Sequence, residues 1–583
     1  MAKPRQFKGG KIYALGGIMG SMADKCAVQM RMLNRSKGPA VYSPRAQEDR
    51  AMYSIEMKNY LENLPNLTLK QAHVTELLID EDGKAAGVMT EGKAVYRART
   101  VVICSGTYME ARIIRGEIIV ESGPDGLPRS CGLSSSLSSL GIPLLRFKTG
   151  TPVRVNSNSV DFSQMTRQNG EDDVPPFSYR KEMEGFHPAP SEEQIPCWSI
   201  WTTEETRKVI SDNMDRSPLY SGEIKGIGPR YCPSIEDKFM RFKDKDRHQI
   251  FVEPMGRHTN EMYLQGFSTS LPEDVQDKMV RSLPGLNEAK IQRYAYAIEY
   301  DLVDPLSIKA SLESKVVPGL FTAGQINGSS GYEEAAAQGI VAGINAAMNC
   351  LGREAVIIDR SQGYIGVLID DLVTKGTNEP YRMMTSRAEY RLFLRQDNAD
   401  ERLMPIGHEV GLIDDDIFGK FEEKMALIAE ETARLKKTYV APTTELKELL
   451  DTCGQTLPKS GESLADLIKR PGVTYELLAP IDKARKELPR SVTFACETDI
   501  KYEGYLPLEK EKIAKFKDLE KIRIPEDTDY SQIHGLRLEA IQKLTKMVPE
   551  NVGRASRISG VSPADCEVLI VYLEQQRRRQ SND

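Results

Sequence analysis

The segment 319–339 constrains the fold of this chain more than any other part of the sequence. Its apolar run 320–323 predicts a buried strand, and a helix is predicted to begin at Tyr332. The glycines between them let the backbone approach a ligand, and a helix N-terminus offers unpaired N–H groups. The segment therefore predicts a strand–turn–helix unit that holds a phosphate or the edge of a flavin. An ordinary strand–turn–helix joint is the alternative.

A second apolar run ends in a similar way. Residues 100–104 are followed by Ser105, Gly106 and Thr107, where a buried parallel strand would give way to a turn that faces a ligand. A central strand without any ligand contact is the alternative. Upstream, residues 67–80 alternate well enough in polarity to predict strands, with a turn at 80–84.

Composition indicates a multidomain globular protein. At 583 residues the chain can hold several cores, and 40% hydrophobic and 28% charged residues are ordinary values. No apolar run approaches the roughly 20 residues of a membrane-spanning helix, and the charged first residues are not followed by the apolar region of a secretory signal. Nine cysteines and six histidines show no paired metal-ligand spacing. We therefore expect no metal site and a reducing, cytoplasmic location.

The order of patterns predicts an α/β fold in four regions. Residues 1–152 are expected to form the first, incomplete part of a Rossmann-like nucleotide-binding domain, and residues 301–399 its return segment. Residues 153–300, which open with polar and Pro-rich stretches and carry both tryptophans, are expected to form an inserted α/β domain. Residues 400–583 change to a helical pattern and are expected to form an all-helical domain.

Two helices of the last region are predicted from local signals. The first has apolar positions with a period near 3.6, at Phe418, Phe421, Met425, Ile428, Thr432 and Leu435. Acidic residues precede and basic residues follow this stretch, as the helix dipole favours. The second is predicted to begin after Ser562, a good N-cap residue, with Pro563 in its first turn.

Several long motifs resemble the MnmG/GidA family of FAD-dependent proteins that modify the wobble uridine of tRNA. Motifs of this length are far more specific than a lone glycine pattern. The resemblance covers the chain from about Ala14 to its end and is carried by the segments 148–152, 228–238, 297–301, 324–339, 379–391 and 555–562.

The resemblance implies FAD and NADH as cofactors and assigns residues to them. It places the flavin against Val74, Ser105, Gly106, Thr107, Gly324, Gln325, Asn327, Gly328, Gly331, Tyr332 and Glu333. It associates the inserted domain with NADH, where Arg230 and Lys238 could hold a phosphate or the nicotinamide cofactor. A solvated ion pair with a neighbouring carboxylate is the alternative role for these two cations.

Cys232 is the strongest catalytic candidate. Nearby cations and a helical turn beginning after it would stabilise a thiolate and lower its pKa. A small buried hydrophobe is the alternative. The resemblance favours a functional thiol here, although the second cysteine that the family uses has no counterpart in this chain. The neighbouring motif 148–151 also looks like a loop that faces a ligand, with a surface turn as its alternative.

Arginines recur between 382 and 395 with aromatic residues among them. A net charge of −6 shows no overall basic excess, so an RNA contact would need a local patch. Arg382, Arg387 and Arg391 would share a helix face and suit phosphate and base contacts. A salt-bridged, solvated helix with Glu389 is the alternative. The resemblance favours tRNA binding by these three arginines.

The start of the chain departs from the family pattern. A complete fold of this kind begins with a strand, a G-x-G-x-x-G turn and a helix, and no room for that unit precedes Ala14. The glycines of 16–20 are no substitute, because no acid-terminated strand follows at the right distance. Because the remaining motifs look intact, we expect a truncation or a misplaced start rather than a degenerate paralogue, with a severe loss of FAD affinity.

Beyond the cofactors, the resemblance implies a tRNA substrate, a homodimer and a partner GTPase of the MnmE type. The implied product carries a carboxymethylaminomethyl or aminomethyl group at carbon 5 of the uridine, made from a folate-derived one-carbon unit and glycine or ammonium. One rival is a truncated chain that only binds MnmE or tRNA. Others are a folate- and FAD-dependent tRNA methyltransferase, against which residues 400–583 count, and a general FAD/NADH oxidoreductase.

Overall fold

The computed structural model describes residues 12–183, 185–186, 188–230 and 233–582. The first region contains two β-hairpins, a three-stranded sheet and three helices. Its strands are β1 (Ala27–Leu33), β2 (Ser43–Glu48), β3 (Val74–Ile79), β4 (Ala85–Thr90), β5 (Val95–Arg97), β6 (Val101–Ile103), β7 (Arg112–Arg115) and β8 (Ile118–Val120). Its helices are α1 (Met19–Cys26), α2 (Arg50–Glu62) and α3 (Leu133–Ser139).

The predicted strands of this region are confirmed in part. The turn at 80–84 joins the antiparallel strands β3 and β4, and Gly83 adopts a φ of 77° within it. The strand expected from residue 67 begins only at Val74. Residues 65–72 carry exposed side chains and pair with no other strand of the described chain, so no neighbouring backbone holds them extended.

The inserted region adds strands and short helices to one large sheet. Its strands are β9 (Leu144–Asn156), β10 (Thr166–Gln168), β11 (Cys197–Trp201), β12 (Gln249–Pro254), β13 (Glu261–Ser268), β14 (Ile291–Arg293) and β15 (Tyr296–Val303). Its helices are α4 (Tyr179–Met183), α5 (Glu204–Ser211), α6 (Ile235–Arg241) and α7 (Glu273–Arg281).

This sheet has nine strands in the order β10-β11-β12-β13-β9-β15-β7-β8, with β14 beside β9. Its two long strands, β9 and β15, cross the expected domain boundaries near 152 and 300 and pair from Thr151–Tyr296 to Leu144–Val303. The motif 148–151 therefore lies within β9, and the expectation that it forms a loop is wrong. Its backbone is held on one side by β15 and on the other by residue 227.

The return segment completes a parallel strand pair. It contains β16 (Leu320–Thr322), α8 (Tyr332–Leu351) and α9 (Tyr364–Lys375). Strand β16 pairs in parallel with β6, from Leu320–Val101 to Thr322–Ile103. The predicted strand and the helix that begins at Tyr332 are confirmed. A large apolar core joins these elements to α9 and reaches the first helices of the last region.

The last region is helical apart from two short strands, β17 (Tyr439–Val440) and β18 (Glu462–Ser463). Its helices are α10 (Ala399–Glu409), α11 (Asp415–Lys437), α12 (Thr444–Asp451), α13 (Leu464–Ile468), α14 (Arg490–Tyr502), α15 (Leu506–Lys521), α16 (Leu538–Met547), α17 (Val552–Ala555) and α18 (Pro563–Asn582). Both predicted helices are confirmed as α11 and α18.

The helical region has two separate apolar cores. One packs α11 to α14 together, and the other packs α16 to α18 around residues such as Leu544 and Leu569. Asp414 caps α11 by accepting from the Ile417 N–H, and Ser562 Oγ accepts from the Asp565 N–H at the start of α18. In the described parts of the chain, no helix combines the length and apolar character needed to cross a membrane.

Candidate nucleotide site and inserted-domain loop

The carboxyl ends of β6 and β16 lie side by side. The Ala323 N–H donates to the Ile103 carbonyl at 3.0 Å, which continues the parallel pairing to the last residue of both strands. The turn that begins at Ser105 and the turn that begins at Gly324 therefore leave the same edge of the sheet. In open α/β folds, ligands bind at this edge. Parallel pairing thus brings together two predicted site segments that are more than 200 residues apart in sequence.

The turn after β16 needs glycine at two positions. Gly324 and Gly328 have φ values of 92° and 79°, a conformation that costs other residues about 1–2 kcal/mol. A Cβ on Gly328 would lie 2.8 Å from Thr377 Cγ2, so the position is also sterically closed. The backbone of this turn is held from outside, because the Tyr381 N–H donates to the Gly328 carbonyl at 2.7 Å.

The start of α8 is acidic rather than open to an anion. Gly331 is its N-cap residue and provides no side-chain cap. Glu333 and Glu334 occupy the first turn, and Glu334 Oε1 accepts from the Met383 N–H at 2.9 Å. A Cβ on Gly331 would overlap the Glu334 carboxylate. Since these carboxylates already face the positive end of the helix dipole, this turn suits a neutral polar ligand edge better than a phosphate.

Buried polar atoms without partners lie at or just after the ends of the two paired strands. Ser105 Oγ, Thr322 Oγ1 and Asn327 Oδ1 are shielded from solvent and have no hydrogen-bond partner within the described ranges. Asn327 is held in place by its amide nitrogen, which donates to the Thr322 carbonyl at 2.7 Å and to Gln338 Oε1 at 2.9 Å. Buried groups of this kind are costly unless a ligand or water satisfies them. The donor and acceptor set fits the polar edge of a flavin.

The other predicted flavin contacts have varied surroundings. Thr107 is buried, whereas Tyr332 is 77% exposed and lies at the outside of the turn. Gly106 has a φ of 58° in the turn after β6. Gln325 is half-buried in the short helical turn before Gly328.

Val74 lies in a different sheet from the other predicted contacts. It is the half-buried first residue of β3 and packs against the large core. The residue before its strand is tied to the segment after β8, because His73 Nε2 accepts from the Cys131 N–H. The role of Val74 at the flavin stays a prediction.

The early glycines serve packing. A Cβ on Gly16 would lie 2.6 Å from Leu412 Cβ, and one on Gly17 would lie 2.5 Å from Ile12 Cγ2. Both glycines therefore lie against protein atoms in the turn before α1. This surrounding differs from that of Gly324, whose nearest neighbour beyond the adjacent chain is the Ala335 methyl group.

The loop that carries the predicted NADH contacts lies along β9. The Lys148 N–H donates to the Ile227 carbonyl at 3.1 Å, and Glu299 Oε1 accepts from the N–H groups of Lys225 and Gly226. Glu299 is fully buried and is itself bound by Arg112. It therefore holds the beginning of the loop 226–230. A lone glutamate in the apolar strand 296–303 is the sequence signal that could have revealed this role.

The predicted cations of this domain differ in exposure. Arg230 is exposed at the end of the described loop. Lys238 Nζ donates to the Gly266 carbonyl on β13 at 2.5 Å, so this amine already has a protein partner. Cys232 lies outside the described residues, so its catalytic role stays a prediction from the sequence.

The arginine-rich segment is not a helix. Between 377 and 398 the described backbone forms turns and one short helical turn, Thr385–Arg387. Its N–H groups are used by tertiary contacts instead, from Tyr381 to Gly328 and from Met383 to Glu334. The predicted alignment of the arginines on one helix face is therefore wrong.

The three arginines have different environments. Arg382 Nη1 donates to the Ser330 carbonyl at 3.0 Å, beside the start of α8. The Arg387 guanidinium lies 4.4 Å above the Tyr381 ring. Arg391 alone among them is exposed, so it is the arginine best placed to meet an external phosphate.

Comparisons with known families agree along the chain. Residues 10–354 match the family model "Glucose inhibited division protein A". Residues 415–510 match the "tRNA modifying enzyme MnmG/GidA C-terminal helical domain", and residues 512–583 match the corresponding C-terminal helical bundle. Together these matches include the strand ends, the inserted domain and both cores of the helical region.

Individual relatives resemble the chain over nearly its whole length. The "tRNA uridine 5-carboxymethylaminomethyl modification enzyme MnmG" of Caldicellulosiruptor saccharolyticus is 55% identical over 97% of this chain and 90% of its own. The protein of the same name from Lachnoclostridium phytofermentans is 54% identical over 98% and 90%. A crystal structure of Aquifex aeolicus GidA superposes with a TM-score of 0.87 at 42% identity, covering 97% of this chain and 89% of that chain.

Proposed function

The chain belongs to the MnmG/GidA family, and from this we propose that it is the flavin-dependent subunit of a tRNA-modifying enzyme. The reaction adds a carboxymethylaminomethyl or aminomethyl group to carbon 5 of the wobble uridine. The observation that carries this proposal is that the turns after β6 and β16 leave the same sheet edge and that Ser105, Thr322 and Asn327 there keep buried polar atoms without a partner among the described residues. Relatives that are more than half identical carry the name of this activity.

The turns after β6 and β16, with Ser105, Thr322 and Asn327, form the proposed cradle for the flavin of FAD. Asn327 Oδ1 and Ser105 Oγ offer polar contacts that the fold leaves unused. Gly324 and Gly328 keep the turn free of side chains, and Glu334 keeps its first helical turn negative. When bound, the flavin would supply the redox chemistry for the one-carbon unit. The protein's contribution is to orient the ring and to exclude water from its buried edge.

The inserted domain is proposed to serve NADH and the uridine. Arg230 provides an exposed cation for a phosphate of NADH. We assign Lys238 a supporting role, because its amine is bound to the Gly266 carbonyl. Cys232 is the proposed nucleophile, whose thiolate would add to the pyrimidine ring and activate carbon 5.

The helical region is proposed to meet tRNA and a GTPase partner of the MnmE type, in an assembly built on a homodimer. Arg391 is the exposed cation of the arginine-rich segment, whereas Arg382 and Arg387 are engaged by the protein. An Arg391→Ala variant should weaken tRNA binding in a filter-retention assay while leaving the fold intact. Arg353→Ala, which removes an exposed arginine just after α8, is the matched control.

The activity is tested with the whole chain. The protein, a GTPase partner, FAD, NADH, glycine and a folate one-carbon donor are incubated with tRNA from a strain that lacks the modification. Mass spectrometry of the digested tRNA should then detect 5-carboxymethylaminomethyluridine. Absence of the modified nucleoside from a reaction in which the protein binds FAD and tRNA would overturn the proposed activity.

A further inference from the structure

Lys148 has a largely buried side chain whose amine is unpaired among the described residues. The residue is 8% exposed and lies on β9, on the opposite face from Phe147. Its side-chain amine makes neither a hydrogen bond nor an ion pair with any residue of the described ranges, and charged groups act on it only over longer distances. A buried amine without a partner is costly, and the fold obtains no contact in return.

The loop above Lys148 lies directly on the side chain. A Cβ on Gly228 would lie 2.5 Å from Lys148 Cε and 3.4 Å from its Nζ. The Lys148 N–H donates to the Ile227 carbonyl, and Glu299 Oε1 accepts from the Gly226 N–H. These two hydrogen bonds keep the loop in that position. The amine is therefore confined beneath the loop that ends in Arg230 and cannot extend into solvent as surface lysines do.

A second buried group acts on the Lys148 amine through its charge. Glu236, on α6, is fully buried; its Oε1 accepts from the Ser270 N–H, and its Oε2 has no hydrogen-bond partner among the described residues. Burial raises the pKa of Glu236, and Lys148 opposes that rise. When Glu236 is ionised, its charge favours the protonated form of the Lys148 amine.

We propose that Lys148 binds an oxyanion of a small substrate beneath the loop 226–230. The inference rests on the proposed function for the choice of ligand; of the oxyanions in that reaction, two belong to small substrates other than folate. One is the carboxylate of glycine, and the other is a phosphate of NADH. Both would accept hydrogen bonds from an ammonium group that has no competing partner.

The charge of Lys148 depends on groups from two elements. Burial lowers its pKa, Glu236 and Asp237 of α6 oppose that shift, Arg241 adds to it, and Glu299 of β15 again opposes it. Only the protonated amine attracts an oxyanion. Affinity should therefore fall as the pH rises through the lowered pKa of Lys148, earlier than an ordinary lysine would allow.

The test uses the full chain and two probes, radiolabelled glycine in equilibrium dialysis and NADH by fluorescence. Lys148→Met removes the charge and keeps the length of the side chain. It should lower the affinity for one probe about tenfold, the loss of one charged hydrogen bond. If only the affinity for glycine falls, the ligand of Lys148 is the glycine carboxylate. If only the affinity for NADH falls, the ligand is a phosphate of NADH. Lys225→Met removes an exposed amine next to the loop and should change neither affinity.

Two further variants separate binding from structure. Lys148→Arg cannot lose its proton in the measured range and should abolish the pH dependence of binding. Glu236→Gln should shift that dependence to lower pH. Thermal melting should show Lys148→Met to be at least as stable as the wild type, because it removes a buried charge. A variant that melts earlier and loses both probes together would show a structural lysine and overturn the inference.

The remaining outcomes are equally distinct. If the wild type binds a probe and Lys148→Met binds it equally well, the role of Lys148 is wrong while the proposed function stands. If the wild type binds neither glycine nor NADH, the inference fails together with the proposed use of these two substrates.

Discussion

The turn at 324–331 and the loop at 226–230 are both rich in glycine, but they need it for different physical reasons. Gly324 and Gly328 adopt left-handed backbone angles that other residues avoid. Gly226 and Gly228 are needed for close approach instead: a Cβ on Gly226 would lie 2.8 Å from the Phe147 carbonyl carbon. The same sequence signal therefore reports backbone conformation in one site and backbone packing in the other.

The two segments also differ in what they offer a ligand. The turn at 324–331 surrounds buried neutral groups, such as Asn327, with an acidic helix start. The loop at 226–230 presents an exposed cation, Arg230, and covers a buried one, Lys148. We infer that the first suits an uncharged ring edge and the second suits oxyanions. Four substitutions, from the largest expected effect to the smallest, test this contrast.

Gly328→Ala should have the largest effect. The φ of 79° and the contact 2.8 Å from Thr377 Cγ2 together predict a loss of about 2–4 kcal/mol in the free energy of unfolding. The first unfolding transition in urea measures this loss of stability. Gly339→Ala is the control, because it lies within α8 with no atom near the new methyl group and should stabilise by about 0.5–1 kcal/mol. Equal effects of the two would refute the conformational argument.

Asn327→Ala should have the second largest effect on stability. The change removes hydrogen bonds to the Thr322 carbonyl and to Gln338 and leaves buried partners unsatisfied, which predicts a loss of about 2 kcal/mol. Flavin affinity, measured by fluorescence quenching, should fall as well because Oδ1 is lost. Asn349→Ala removes an exposed amide from the end of α8 and should change neither quantity. Unchanged flavin affinity in Asn327→Ala would remove this residue from the cradle.

Lys148→Met should raise the free energy of unfolding, whereas the two preceding substitutions lower it. Below the lowered pKa of Lys148 the amine is charged in both states, so the wild type bears the full burial penalty and the variant should be more stable by about 1 kcal/mol. As the pH rises above that pKa, the folded amine becomes neutral and the difference should shrink. It should vanish near pH 10.4, the ordinary lysine value. Denaturation from pH 6 to 10 measures the trend, and a constant difference would contradict it.

Arg230→Ala should change stability least, within about 0.5 kcal/mol, because the side chain is exposed and its removal opens no cavity. Its affinity for NADH should nevertheless fall about tenfold if the guanidinium holds a phosphate. Fluorescence titration with NADH at two salt concentrations checks this, since a charge contact weakens with salt. A variant that binds NADH like the wild type would leave Lys148 as the cation of this domain.

Local signals predicted many elements correctly. The strand at 320–323, the helix from Tyr332, the turn at 80–84 and helices α11 and α18 follow from apolar period, turn residues and capping residues. Prediction failed where tertiary contacts compete for the backbone. Residues 148–151 became part of β9 because β15 pairs with them. The start of the arginine-rich segment is held out of a helix because the N–H groups of Tyr381 and Met383 are bonded to Gly328 and Glu334.

The sequence by itself determined the candidate segments, because glycine spacing and long motifs are local properties of the chain. It also identified the family through those motifs. Only the tertiary structure decided which segments meet: parallel pairing of β6 with β16 brings the turns at Ser105 and Gly324 to the same sheet edge, and the loop over β9 covers Lys148. Burial and unpaired hydrogen-bonding groups arise from contacts between distant segments, and these cannot be read from the residues on either side.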